Sequence, residues 1–80
     1  MPMYYFHHQK ADQLLQDDEG DDLPDLAAAR DEAFQSAREL IANAARAGRD
    51  ARNESFVVVD DLGQTVLVLK FVDALDSPPE

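Results

Sequence analysis

The chain has 80 residues, with 17 acids against 7 bases and a formal charge of −10 at neutral pH. Phosphate-bearing partners would be repelled at long range, which argues against direct binding to nucleic acid or an anionic membrane and favours a basic protein partner. Cysteine is absent, excluding disulfides, thiolate metal sites and cysteine nucleophiles, and a domain this small buries little more than about 60% of its unfolded surface, so self-association would help it.

The start, Met1-Pro2-Met3-Tyr4-Tyr5-Phe6-His7-His8, lacks the basic flank and apolar core of a signal peptide. No stretch reaches the apolar length that spans a bilayer, so a cytoplasmic location is expected. The aromatic run from Met3 to His8 suits a half-buried pleated surface and reads as a strand. Gln9 to Asp12 makes a polar turn into a short second strand, Gln13 to Gln16. Asp17-Asp18-Glu19-Gly20-Asp21-Asp22 is too polar to bury and reads as a surface loop, in which Gly20 can supply a positive φ.

Leu23-Pro24-Asp25 marks a helix start, with Asp25 as N-cap. At about 100° per residue, Leu26, Ala29, Ala33, Ala37, Leu40, Ile41 and Ala44 form one stripe with Phe34 on its shoulder. Ala28, Asp31, Glu32, Gln35, Glu39 and Arg46 lie opposite, and Gly48 supplies the stop. Arg30 falls inside the stripe, and its guanidinium is expected to reach Asp25 or the acidic loop.

Arg49 to Asn53 is a polar connection, followed by two clear strands, Ser55 to Val59 and Thr65 to Phe71. Asp60-Asp61-Leu62-Gly63 between them suits a type I turn with a glycine bulge that pairs Asp60 with Gln64. The expected fold is α+β, ββαββ, an antiparallel sheet with one long amphipathic helix on one face. One domain is expected over residues 1–76, with residues 77–80 as a disordered tail.

The phrases Tyr4-Tyr5-Phe6-His7, Asp18-Glu19-Gly20 with Leu23-Pro24-Asp25-Leu26, Ala29 and Ala33, Ser36-Ala37-Arg38-Glu39-Leu40, and Asp60 with Gly63 resemble a small-protein domain family of unknown function from rhizobia and related alphaproteobacteria. The likeness covers nearly the whole chain and implies a shared fold, with no chemistry attached. The order of strands, acidic glycine loop and helix, with Gly20, Asp25, Ala29 and Ala33, is also similar at fold level to HicB-type antitoxin modules. The chain departs from them in having no appended DNA-binding helices.

No reaction is legible. His7 and His8 are adjacent in one strand and point to opposite faces, so they cannot share a metal unaided. An EF-hand loop with its glycine at Gly20 would need a carboxylate where Leu15 stands. No nucleophile triad or phosphate loop is present, so an enzyme is not expected, and no catalytic, cofactor-binding or metal-ligating residue is assigned. The expected function is a non-enzymatic interaction module that self-associates, as a homodimer, or binds a basic protein. The alternatives are an antitoxin-like inhibitor of a basic RNA-binding toxin, and a metal-dependent protein using His7, His8 and the acidic loop.

Pairing Asp60 with Gln64 sets Val58 opposite Val66, Phe56 opposite Val68 and Glu54 opposite Lys70. Val57, Val59, Leu67, Leu69 and Phe71 then form the larger apolar face and are expected in the core. Phe56, Val58, Val66 and Val68, rimmed by Glu54 and Lys70, are left as the candidate interface.

Overall fold

A computed structural model describes residues 2–76, so the tail expected over residues 77–80 lies outside the described residues. In chain order the elements are β1 (Met3–Lys10), β2 (Gln13–Leu15), β3 (Asp21–Asp22), α1 (Leu26–Arg46), β4 (Ser55–Asp60), β5 (Thr65–Lys70) and α2 (Phe71–Asp76). The strands form one open antiparallel sheet in the order β2-β1-β4-β5, with β3 also paired to β1. The α+β class is as expected. Two elements are additions to ββαββ: β3 inside the acidic stretch, and α2 where a strand end and tail were expected.

The long helix begins as its cap dictates, with the Asp25 carboxylate accepting the Ala28 N–H at 2.9 Å. It ends in a Schellman motif, because Gly48 at φ +78° lets the Arg49 N–H reach the Ala44 carbonyl and the Gly48 N–H reach that of Ala45. Ala29, Ala33, Phe34, Ala37 and Ala44 are buried along the expected stripe, and small side chains let the helix axis approach the sheet. Leu26, in the first turn, is exposed. Arg30 stacks its guanidinium 4.5 Å from the centre of the Phe34 ring, a cation–π contact in place of the expected reach to Asp25 or the acidic loop.

At the β4–β5 turn the Asp60 N–H donates to the Gln64 carbonyl at 2.9 Å, the pairing expected. The Asp60 carboxylate also accepts from the Leu62 and Gln64 amides, and Gly63 takes φ +81°. Beyond the turn the ladder slips. Val59 pairs with Thr65, but Val58 pairs with Leu67, so Val66 is an extra residue and forms a β-bulge. Every later partner is displaced by one: Val57 faces Val68, Phe56 faces Leu69 and Ser55 faces Lys70.

A one-residue slip exchanges the two faces of one strand relative to the other, and this corrects the expected core. Leu67, Leu69 and Phe71 do lie on the helix side, but they are joined there by Phe56 and Val58, not by Val57 and Val59. Phe56 is 5% exposed and Val58 is fully buried. Phe6, Phe56 and Phe71 interlock, with the Phe56 and Phe71 ring centres 4.8 Å apart.

The chain leaves β5 by turning into α2. Phe71 still donates its N–H to the Glu54 carbonyl, continuing the ladder for one residue. Phe71 and Ala74, three apart, are both fully buried, a helical spacing that a strand would send to opposite faces. Arg38 of α1 donates from Nε to the Ala74 carbonyl at 2.9 Å and ties the two helices together.

Candidate interaction face

Alternation along β1 puts Tyr4, Phe6 and His8 on the helix side and Tyr5, His7 and Gln9 on the other. Cross-strand partners share a face, so the side away from α1 carries Tyr5 and His7 from β1, Val57 and Val59 from β4, and Val68 from β5. Among the described residues no helix packs on this face. Val68 is 62% exposed, while Tyr5, Val57 and Val59 are half-buried.

Of the six residues expected at the interface, the structure leaves Val68 and Lys70 exposed and moves the others. Phe56 and Val58 belong to the core, a correction that follows from the bulge. Val66, the bulged residue, is half-buried against the same core. Glu54 does not face Lys70. Its Oε1 lies 2.6 Å from His8 Nε2, beside the contact between the His8 and Phe71 rings, while Lys70 stands opposite Ser55. Val57 and Val59, expected in the core, lie on this face because of the bulge, and Tyr5 joins them there through the register of β1 with β4.

One border of the face is the acidic stretch. β4 occupies one edge of β1, so β2 and β3 share the other, and residues 16–20 span the gap between them opposite the middle of β1. A strand edge exposes amides there, and Asp17 serves as the missing partner: Oδ2 accepts from the Phe6 N–H at 3.0 Å, and Oδ1 accepts from the Glu19 and Gly20 N–H groups at 3.1 Å. The Asp17 N–H in turn donates to His7 Nδ1 at 3.0 Å. Partial burial alone would raise the Asp17 pKa, but the Phe6, Gly20 and Glu19 amides, with His7 nearby, outweigh it and hold the carboxyl below its ordinary value.

Gly20, at φ +72°, lies under the Tyr5 ring so closely that a Cβ would sit 2.8 Å from Tyr5 Cε2. These contacts curl the loop toward the uncovered face and leave Asp18 and Glu19 exposed along its margin. Elsewhere the exposed Asp50–Arg52 pair lowers the Asp50 pKa to about 2 through the Arg52 guanidinium.

His7 and His8 are held on opposite faces by different partners, Asp17 and Glu54. Among the described residues no three His, Asp or Glu side chains gather into a set that could hold a metal ion, and no pocket opens. No described helix is long and apolar enough to cross a membrane. The arrangement offers a surface of apolar side chains beside an acidic loop that Asp17 anchors to β1.

No curated protein and no solved structure matches the chain. A family model described as a domain of unknown function, DUF6894, matches residues 3–72, from the first residue of β1 into α2. The chain therefore belongs to the DUF6894 family.

Proposed function

We propose that this domain is a non-enzymatic protein-interaction module whose docking face is the side of the sheet away from α1, centred on Tyr5, Val57, Val59 and Val68. The observation that carries the reading is that one face of the sheet is covered by α1 and the other presents valines without a cover. Antiparallel sheets can turn one face to water, but that face then alternates to polar side chains, and here the central positions of β4 and β5 are apolar. Apolar sheet surface with a charged margin supports docking more than solvation.

The test is photo-crosslinking in the source cells with a benzophenone side chain at Val68 or, as control, at Gln35 on the exposed side of α1. Discrete adducts from position 68 and none from position 35 are expected. Equal labelling from both positions, or none from position 68, refutes the docking face.

A further inference from the structure

The Val57–Val59–Val68 face has an electrostatic margin that selects among possible occupants. Residues 17–22 contain five acids and no base, and this stretch runs along the edge of β1 beside the face. Asp17 is held by three backbone amides and His7 receives the Asp17 N–H, so the loop is fixed in place. Carboxylates presented on a fixed loop lose little freedom when they pair, which makes them effective partners for cations. At the opposite border, on β5, Lys70 is the single basic side chain of the strand.

Resting on the docking face proposed above, we infer that its occupant is a basic amphipathic helix of another protein. Its apolar side would lie on Tyr5, Val57, Val59 and Val68, and its lysines or arginines would face Asp18 and Glu19. A helix suits the shape, because the same sheet already takes α1 on its other side and a second helix completes a three-layer arrangement. Charge argues against a second copy of this chain. Each copy carries −10, and apposed faces would set two acidic margins against one Lys70 each.

The experiment titrates the methyl-labelled domain with three synthetic peptides of about 18 residues, long enough for five helical turns. One has a leucine stripe with lysines on the polar side, the second keeps the stripe with glutamates, and the third scrambles the lysine peptide to abolish the stripe. The lysine-stripe peptide should bind and shift the methyls of Val57, Val59 and Val68 ahead of those of Val58 and Leu69. Val68→Ser should weaken it roughly fivefold, and Asp18→Asn with Glu19→Gln should weaken it and flatten its salt dependence.

Equal binding of the lysine and glutamate stripes at the same methyls would overturn the basic partner and keep the docking face. Equal binding of the scrambled peptide would reduce the effect to bulk charge and overturn the inference. Failure of the lysine stripe to bind also overturns it, and with light scattering showing a dimer lost in Val68→Ser the occupant is a second copy.

Discussion

Val58 and Val68 are the same residue type in adjacent strands, and the bulge at Val66 decides which is core and which is surface. Val58→Ala removes two methyl-sized groups from a fully buried site, a transfer loss of about 1.6 kcal/mol, and the unfilled cavity should bring the total to about 2–3 kcal/mol. Val68 is 62% exposed, so the same truncation should cost about 0.6 kcal/mol of transfer energy. The lower strand preference of alanine applies to both and cancels in the comparison. The gap of about 2 kcal/mol corresponds to roughly 10 °C in melting temperature for a domain of this size. Urea unfolding and thermal scans of the two variants read it directly. Equal losses, or a larger loss at Val68, would refute the register and return Phe56 and Val58 to the surface.

Gly20→Ala should lose about 2–4 kcal/mol, from a left-handed φ and from a Cβ driven into Tyr5 and the Tyr4 carbonyl. Gly63→Ala, with the same sign of φ and open space around it, should lose only about 1 kcal/mol, so equal denaturation midpoints would show that the Tyr5 contact is absent. Asp25→Ala removes the N-cap acceptor and should cost about 1 kcal/mol in urea melts; a change of zero would mean that the Ala28 amide is equally well served by water. Asp17 has a folded-state pKa below its unfolded value, so its stabilisation is complete above the unfolded pKa and is lost as pH falls through the folded one. The stability gap between wild type and Asp17→Asn should therefore be widest at neutral pH and narrow in acid, and a gap that widens in acid contradicts the assigned hydrogen bonds.

Much of this fold is local and was legible in the sequence for that reason. Asp25 and Gly48 bracket α1 because their side-chain and backbone preferences act within one turn of the chain. The spacing of Ala29, Ala33 and Ala37 gives the helix face without knowledge of what it meets. The Asp60–Gln64 closure was readable from turn chemistry. The bulge was not, because Val66 has the same strand preference as its neighbours and nothing in Val-Leu-Val-Leu marks which residue goes unpaired. The candidate interface inherited that one-residue error and exchanged Phe56 and Val58 for Val57 and Val59. The role of Asp17 was equally hidden, since it depends on a gap between β2 and β3 that exists only once both pair with β1.

The bulge has a reason in the sizes of the side chains it sorts. Without it, Leu67 and Leu69 would share a face with Val57 and Val59, and Phe56 and Val58 would share the opposite face with Val66 and Val68. The large side chains of the hairpin would then be divided between two sides of a sheet that has one long helix to cover them. Slipping the ladder by one residue brings Leu67 and Leu69 into step with Phe56 and Val58, under Phe34 and the alanines of α1. Phe71 joins them from the start of α2, and His8 closes that end with its ring against Phe71 and its Nε2 against Glu54. Burial is thus concentrated on one side, where each ring finds several partners. The other side keeps valines, which suit a strand but fill less volume, and it is bordered by a loop whose Asp17 is committed to the backbone of β1. The same slip that makes one core out of two half-cores therefore also makes the uncovered face, so the stability of the fold and the apolar character of that face have a common origin in Val66.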